Sequence, residues 1–505
     1  MTHSPTAEQE AIFTAALTSQ TSLLIEAYAG CGKTSTMEML AAKLSPCSAL
    51  ALAFNVRIKK ELEIRLPSWF QVKTMNGLGH GAWNKTIGKS CEVDERKIGK
   101  IITALEKEAQ IDLSPDQWSA IREAVNKARQ AGMIPAKFNQ FRSLVPDNPD
   151  QWGNYFDEAE PAPRLLAFAR TVLVRSIEMA FRGQLDYDDQ IYMSALFNGT
   201  YPKHDLVLVD EAQDLSPLNH RQVQKVAGPS GRLIVVGDPK QAIYAFRGAD
   251  SQSMTKLRGL RPEWTVLPLT TTFRCPQAVV ARQQRHAEGF NAAPTAPEGK
   301  ILELQAEWSW QDISDLRLPG ESIAVLCRNN APIVKLAFKL IRQNIGCQML
   351  GRDIGKNLET LAKKIVRPGA SLAEAVAGVR SWISSESSLA QANDKPEKVA
   401  GITDRGECLI AVLEGGQCQT PTDLAPTIKA LFESSRGVTL ASIHRSKGLE
   451  WPLVVHLDPW RIPSKWAKAN GGPELEQEFN LKYVAETRSK RCLVLASLDN
   501  FGEQQ

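Results

Sequence analysis

Short runs of consecutive apolar residues, many of them β-branched, recur along both halves of the chain. Such runs, bounded by polar or turn-forming residues, are typical of buried strands in parallel sheets. Because helical patterns lie between the runs, their order predicts an α/β fold with two parallel-sheet units. The predicted strands are Leu23–Ile25, Ala49–Phe54, Leu206–Val209 and Leu233–Val236 in the first half, and Ile323–Leu326, Val438–Leu440, Leu453–Leu457 and Cys492–Leu495 in the second.

Two regions interrupt this pattern of strands. Between about residues 83 and 185 the chain carries helical patterns instead, such as Glu95–Gln110 and Pro115–Ala131, and we interpret the region as a helical insertion into the first unit. A second strand-poor region runs from about 356 to 436 and is rich in small and polar residues. Ser381–Lys398 is an example. We predict a small, partly helical and loosely ordered subdomain there.

Composition limits the class of protein. Of the 505 residues, 43% are hydrophobic and 23% are charged, as in a globular protein of several domains. The net charge of +4 is too small to predict a nucleic-acid partner by itself. No apolar run is long enough to span a membrane and the N-terminus does not resemble a signal peptide, so we expect an intracellular protein, cytoplasmic or at the nucleoid. The nine cysteines form no C-x-x-C pair, which disfavours zinc and iron–sulfur sites.

A glycine-rich segment follows the first predicted strand and precedes a helical stretch, the context of a phosphate-binding P-loop. Its backbone N–H groups are predicted to bind ATP phosphates, Lys33 to reach the β- and γ-phosphates, and the Thr34 hydroxyl to bind Mg²⁺. Ala27 stands where the strict pattern has its first glycine. The nucleotide-binding segment is Ala27, Tyr28, Ala29, Gly30, Cys31, Gly32, Lys33 and Thr34.

Two carboxylates end the apolar run Leu206–Val209. Carboxylates beside a phosphate loop suit Mg²⁺ binding and activation of water. We therefore predict Asp210 as the metal ligand and Glu211 as the general base. The long separation of this pair from Lys33 fits a P-loop core that is interrupted by the helical insertion.

The order of these and later segments resembles a superfamily 1 DNA helicase of the UvrD/Rep/PcrA type. A P-loop alone is moderately specific, whereas the whole series in this order is highly specific and covers nearly all of the chain. The matching segments are Pro5–Ala11 (Q motif), Ala27–Thr34 (motif I), Leu185–Asp189 (an acidic motif), Asp210–Asp214 (motif II), Gly237–Ala249 (motif III), Thr272–Cys275 (motif IV), Ser442–Trp451 (motif V) and Tyr483–Lys490 (motif VI).

The resemblance implies two RecA-like domains with ATP bound in the cleft between them. The second insertion, residues 356–436, corresponds to domain 2B of the family and is shorter than in the bacterial repair helicases. In this it is similar to compact phage helicases and the eukaryotic F-box helicase. Because the sequence ends soon after motif VI, we expect neither a C-terminal extension nor a RecB-type nuclease domain. The implied domains are 1A (1–84 and 186–265), helical 1B (85–185), 2A (266–355 and 437–505) and the 2B-like insertion (356–436).

The resemblance also implies roles around the nucleotide. Gln9 would read the adenine, Phe273 would stack on it, and Glu450 would contact the ribose. Gln241 would sense the γ-phosphate. Arg274 and Arg488 would be two arginine fingers, which stabilise charge on the γ-phosphate. The implied catalytic residues are therefore Lys33, Glu211, Gln241, Arg274 and Arg488.

The implied partner is single-stranded DNA, including junctions between single-stranded and duplex DNA, with no membrane partner. Single strands are held by phosphate contacts and aromatic stacking. Phe246 takes the place of a base-stacking Trp of the bacterial enzymes, whereas Trp83 and Trp460 belong to no motif and are predicted to pack inside the protein. The DNA-binding candidates are Phe54, Asn55, Thr74, Asn76, Tyr244, Phe246, Arg247, His444 and Lys447.

The leading hypothesis is an ATP-dependent DNA helicase and single-strand translocase whose 3′-to-5′ polarity comes from the family. Motors of this type serve DNA repair and DNA replication, among other processes. The alternative is a translocase that mainly displaces bound proteins with little unwinding. An RNA helicase of another superfamily 1 branch fits less well, because Gln241–Tyr244 and Phe246–Ala249 follow the DNA-type pattern. A P-loop kinase or transporter would leave motifs III to VI unexplained.

Overall fold

The computed structural model describes residues 4–53, 55–156, 162–243, 252–304, 309–367, 369–392, 396–434 and 437–501. By its contacts the chain divides into two units. Within the described residues each unit contains a six-stranded, wholly parallel sheet flanked by helices, which confirms the predicted α/β class with two RecA-like sheets. The first unit is Met1–Ala27 and Gly32–Leu269, and the second is Tyr28–Cys31 and Thr270–Gln505.

The first unit holds eight of the described strands and eleven of the described helices. Its strands are β1 (Ser22–Ala27), β2 (Ala49–Ala53), β3 (Phe70–Thr74), β4 (Glu92–Val93), β5 (Gln184–Leu185), β6 (Leu206–Val209), β7 (Arg232–Gly237) and β8 (Trp264–Leu269). Its helices are α1 (Ala7–Thr18), α2 (Lys33–Lys43), α3 (Val56–Arg65), α4 (Met75–Ile87), α5 (Lys97–Ala109), α6 (Pro115–Gln130), α7 (Pro149–Gly153), α8 (Pro163–Phe181), α9 (Tyr187–Leu196), α10 (Pro217–Ala227) and α11 (Ser253–Arg258).

The first sheet has the strand order β3-β2-β6-β7-β1-β8. Its inner strands β2, β6 and β7 are buried at every position, because helices cover both faces of a parallel sheet. Since all its strands run the same way, β1, β6 and β7 end at one edge. That edge is where ligands bind in open α/β sheets.

Helices α5, α6 and α8 share a separate apolar core in the first unit, with Trp83, Ile102 and Leu173 fully buried. We call residues 94–183 the helical lobe. The lobe is entered and left through the two-residue strands β4 and β5, where Glu92 pairs with Gln184 and Val93 with Leu185.

The second unit holds the remaining described strands and helices. Its strands are β9 (Thr271–Thr272), β10 (Asn291–Ala292), β11 (Lys300–Glu303), β12 (Ile323–Cys327), β13 (Cys347–Met349), β14 (Val438–Ser442), β15 (Trp451–Leu457) and β16 (Ser489–Ala496). Its helices are α12 (Gln277–Gln283), α13 (Trp310–Asp315), α14 (Asn330–Arg342), α15 (Arg352–Ile365), α16 (Leu372–Ala392), α17 (Glu397–Leu413), α18 (Leu424–Glu433), α19 (Ile443–Ser446), α20 (Lys465–Asn470) and α21 (Gly472–Glu486).

The second sheet has the strand order β11-β16-β15-β12-β14-β13. Helices α15 to α18 pack beside it, and Val379, Leu409 and Ile428 belong to the same buried core as the sheet. The expectation that the region 356–436 is loosely ordered was wrong for its described part. Helix α16 runs to Ala392 and packs against α17.

Candidate nucleotide-binding and DNA-binding sites

The phosphate loop joins the buried end of β1 to the first residue of α2, Lys33. Gly32 precedes the helix at φ 75°, and no described side chain caps this helix end. The first backbone N–H groups of an uncapped helix carry partial positive charge and bind anions. The sequence predicted a phosphate site at this helix end, and Thr34 lies in the same first turn. Phosphate binding there stays a prediction.

The tip of the loop, Tyr28–Cys31, groups by its contacts with the second unit. The backbone N–H of Ala29 donates to the Tyr483 hydroxyl at 2.8 Å, and the Gly30 carbonyl accepts from the Phe273 N–H at 2.9 Å. A Cβ on Gly30 would lie 2.4 Å from Arg274 Cβ, at a φ of 73° that disfavours side chains. Only glycine fits this position.

Gln9 lies buried in the first turn of α1. Its Oε1 accepts from the backbone N–H of Thr6 at 2.9 Å, and its Nε2 donates to Thr36 Oγ1 in α2 at 2.9 Å. These bonds fix the amide close to the phosphate loop, since a Cβ on Gly32 would lie 3.8 Å from Gln9 Nε2. The contact with adenine stays a prediction.

The acidic pair lies at the carboxyl end of β6. Asp210 is buried, and its Oδ1 accepts from the Glu211 N–H at 2.8 Å. Burial, with a contribution from the nearby Glu211 carboxylate, raises the pKa of Asp210 to about 7, although Lys33 opposes the shift. A buried carboxylate with this surplus of negative charge next to it fits a hard divalent cation such as Mg²⁺, which binds oxygen ligands.

Two further polar residues, for which no role was predicted, connect motif II to motif III. Gln213 is buried; its Nε2 donates to Glu211 Oε2 at 2.5 Å, and its Oε1 accepts from the Asp238 N–H at 2.9 Å. The Asp238 carboxylate in turn accepts from Gln241 Nε2 at 2.6 Å. Burial raises the pKa of Asp238, with Lys33 and the bond from Gln241 opposing. The candidate base and the candidate γ-phosphate sensor are thus ends of one hydrogen-bonded path.

In the second unit, one candidate finger and the candidate ribose contact bind each other. Arg274 Nε donates to Glu450 Oε2 at 2.5 Å, and Lys490 Nζ lies 3.0 Å from Glu450 Oε1. Partial burial opposes ionisation of Glu450, but Arg274 and Lys490 outweigh it and lower its pKa. Phe273, one residue earlier, is 58% exposed. The contacts of Glu450 thus bring motifs IV, V and VI together within the second unit.

The second candidate finger, Arg488, is almost fully buried. Its Nε donates to the Val484 carbonyl at 2.9 Å and its Nη1 to the Leu449 carbonyl at 3.3 Å. The guanidinium therefore also ties α21 to the segment that carries motif V. Its role toward a phosphate stays a prediction.

Several predicted DNA contacts have local structural roles. Asn55 caps α3 through Oδ1 and Thr74 caps α4 through Oγ1, with bonds to Ile58 N at 2.9 Å and Gly77 N at 3.1 Å. His444 lies in the short helix α19, and Lys447 directly follows it. Four predicted contacts lie outside the described residues: Phe54, Tyr244, Phe246 and Arg247.

An aromatic residue missed by the sequence reasoning lies beside these contacts. Asn76 Nδ2 donates to the carbonyl of Tyr187 at 2.8 Å, and the Tyr187 side chain is 54% exposed at the start of α9. Tyr187 belongs to the acidic motif Leu185–Asp189, and this membership could have indicated a functional role from the sequence. Among the tryptophans, Trp83 is fully buried as predicted, whereas the prediction for Trp460 was wrong, since it is 64% exposed with the Arg461 guanidinium over its ring.

Comparison with known proteins agrees with this arrangement of motifs. Residues 6–260, just over half of the chain, match the UvrD/Rep helicase N-terminal domain. Residues 417–500 match the UvrD-like helicase C-terminal domain. Among the described residues, no helix is both long and apolar enough to cross a membrane.

Curated relatives cover this chain to different extents. The F-box DNA helicase protein 1 of Schizosaccharomyces pombe is 23% identical over 97% of this chain and 57% of its own length. The ATP-dependent DNA helicase UvrD2 of Mycobacterium tuberculosis is 28% identical over 57% of this chain and 47% of its own length. DNA helicase II of Escherichia coli is 23% identical over 62% of this chain and 42% of its own length. This chain thus spans about half the length of these relatives, and it belongs to the UvrD/Rep helicase family.

Proposed function

We propose that this protein is an ATP-dependent DNA helicase and single-strand translocase that moves 3′ to 5′. The observation that carries the proposal is the edge of the first sheet, where Lys33 follows β1, Asp210 and Glu211 follow β6, and Gln241 follows β7. Phosphate binding, metal binding and γ-phosphate sensing are thereby concentrated at one edge. The names of the relatives, which are DNA helicases, support DNA as the substrate, and the polarity rests on the family resemblance.

The first unit would bind the phosphates. Backbone N–H groups of the loop and of the first turn of α2, together with the Lys33 ammonium, would neutralise the β- and γ-phosphates, as in other P-loop proteins. Thr34 and Asp210 would hold Mg²⁺, which supplies positive charge to the phosphate oxygens when it is bound. The Glu211 carboxylate accepts the proton of the attacking water.

The second unit would supply the remaining groups. Arg274 and Arg488 stabilise the negative charge that develops on the transferred phosphoryl group. Phe273 stacks on the adenine and Glu450 binds the ribose, while Gln9 of the first unit binds the adenine edge. Because both units contribute to one nucleotide, binding and hydrolysis of ATP would alternate between two domain arrangements and so drive movement.

The DNA contacts would come from both units. The proposed contacts are Phe54, Asn55, Thr74, Asn76, Tyr244, Phe246, Arg247, His444 and Lys447, to which we add the exposed ring of Tyr187. Their substrate is single-stranded DNA, including its junctions with duplex DNA, inside the cell. Aromatic stacking and phosphate contacts grip any sequence, as a translocating motor requires.

The test is strand displacement on matched duplexes with either a 3′ or a 5′ single-stranded tail, with ATP turnover recorded in the same reaction. Unwinding from the 3′ tail alone is expected. ATP turnover without strand separation would instead favour a translocase that displaces bound proteins. Unwinding from the 5′ tail would contradict the proposed polarity.

Lys33→Ala provides the control for ATP use. Loss of the ammonium should lower kcat at least ~100-fold, because a preorganised charge on the transferred phosphoryl group is removed. Circular dichroism should show that the fold is intact. Near-normal turnover in this variant would contradict the assignment of the phosphate loop.

A further inference from the structure

A groove of about 540 Å³ lies between α5 and α6 of the helical lobe. Four cationic side chains line it, and all four are exposed: Arg96, Lys100, Lys107 and Arg122. Among the described side chains that line it, Glu95 is the single acidic residue. None of the helicase motifs includes this surface.

The spacing of the cations places them on one side of α5. Positions 96, 100 and 107 are separated by four and seven residues, which returns to the same face of a helix. At 1.5 Å per residue this row is about 16 Å long. Lys100 pairs with Asp94 at 2.6 Å, whereas Arg96, Lys107 and Arg122 have no ion pair with any described residue. Three cations are therefore available to an anionic partner.

The wall of the groove contains an aromatic ring. Trp118 of α6 is partly buried and lies against Gly99 of α5, where an added Cβ would approach its ring to 3.1 Å. The glycine lets the indole lie between the two helices while part of it still lines the groove. Proteins that bind single-stranded nucleic acid combine a row of cations along the phosphate backbone with aromatic rings on which bases stack.

A buried ionic cluster connects this groove to the proposed DNA contact at Asn76. Lys97, which follows Arg96, binds Asp189 at 2.6 Å, and Arg129 at the end of α6 binds Asp189 at 2.9 Å. Asp189 lies two residues after Tyr187, whose carbonyl accepts from Asn76. The cluster ties the start of α5 and the end of α6 to the start of α9, which carries the Tyr187 carbonyl that Asn76 binds.

We propose that the groove between α5 and α6 is a second single-strand DNA site, which holds the strand beyond its contact with Asn76. The inference rests on the proposed DNA function. It predicts that a long single strand binds more tightly than a short one through Arg96, Lys107, Arg122 and Trp118.

The experiment measures equilibrium binding of fluorescent oligothymidylates of about 8 and about 24 nucleotides, by anisotropy, with ATP turnover recorded separately. The test variant is Arg96→Gln/Lys107→Gln/Arg122→Gln. The matched control, Lys85→Gln/Arg142→Gln/Arg182→Gln, removes three exposed cations of the same unit that do not line the groove. The test variant should bind the long strand roughly 10-fold more weakly and lower its salt slope by about 2, while binding of the short strand stays unchanged.

A pair of tryptophan variants tests the ring. Trp118→Phe keeps a stacking face and should retain most of the long-strand affinity, whereas Trp118→Leu keeps apolar bulk and should lose it.

If the triple variant binds both strands like the parent protein, the second site is overturned, whatever the ATP turnover shows. If the variant loses only binding to a synthetic acidic peptide, the groove is a peptide site and the proposal is equally overturned. Absence of DNA-stimulated turnover in the parent protein would contradict the proposed motor function, while the binding comparison would still decide on the groove.

Discussion

The side-chain amide of Gln213 donates to the carboxylate of Glu211 at 2.5 Å, two residues away across a backbone turn in which Glu211 has a φ of 49°. The other end of the same amide accepts from the backbone of Asp238. Gln213 thereby fixes the orientation of the candidate general base and ties it to the segment that carries Gln241. A base held in one orientation accepts a proton more efficiently than a mobile one.

Gln213→Ala should therefore lower kcat for ATP hydrolysis about 10-fold and leave the Kd for ATP almost unchanged, because Gln213 orients the base and is not among the proposed nucleotide contacts. Single-turnover kinetics and nucleotide binding by fluorescence would check this. Gln213→Glu is the sharper variant, since it cannot donate to Glu211 and adds a second negative charge. An equal rise of Kd and fall of kcat in both variants would indicate a structural role alone.

Arg274→Ala should lower kcat by about 100-fold or more, because positive charge is withdrawn from the transition state. The matched control is Lys490→Ala, which removes the other cation bound to Glu450 and leaves the Arg274–Glu450 pair in place. Steady-state ATP turnover of both variants is the measurement. Equal losses in the two variants would count against a specific role for Arg274.

The raised pKa of Asp210, about 7, predicts a pH dependence of stability in the nucleotide-free protein. Between about pH 4 and pH 7 the folded chain holds a proton that the unfolded chain has released, so the free energy of unfolding falls as pH rises through this window. The Asp210→Asn variant lacks this titrating carboxyl group, so its stability does not carry this pH dependence. Between pH 5 and 7 the stability of the parent protein should fall by about 2 to 3 kcal/mol more than that of the variant, measured by chemical denaturation. Parallel pH profiles would contradict the assigned pKa.

Arg129 is almost fully buried and binds Asp186 at 2.7 Å and Asp189 at 2.9 Å. Removing one partner of a buried ionic group leaves uncompensated charge, so Arg129→Ala should destabilise the protein by about 3 to 5 kcal/mol. Arg175→Ala is the control, because Arg175 is 45% exposed and pairs with Glu108, which is 55% exposed, and it should cost less than about 1 kcal/mol. Denaturation midpoints of the two variants would compare them.

The interior of both sheets was predictable from the sequence, and the edges were not. Each predicted strand is present, and each lies inside its sheet, where both faces are buried and the sequence is continuously apolar. In the two six-stranded sheets the pattern missed the four edge strands, β3, β8, β11 and β13, and it also missed the two-residue strands β4, β5, β9 and β10. In β8, exposed and partly exposed positions alternate, and β13 has only three residues, so neither produces a long apolar run.

The candidate site was predictable in its motifs but not in its connections. The pattern of motifs led to Lys33, Asp210 and Glu211, because these residue types have a required chemistry at fixed positions. The roles of Gln213 and Asp238 depend on a hydrogen bond that spans 25 residues of sequence. No local pattern contains that information, since it arises only when β6 and β7 lie side by side.

The two-residue pairing of β4 with β5 has a consequence for how the helical lobe can vary. Because Glu92 lies opposite Gln184, the chain departs from and returns to the first unit at almost the same point. The residues between these strands form an insertion, and its length does not alter the spatial arrangement of the motifs that flank it. The lobe can therefore be shortened or enlarged without moving the motifs, provided that Lys97 and Arg129 remain to pair with the buried Asp189 outside it.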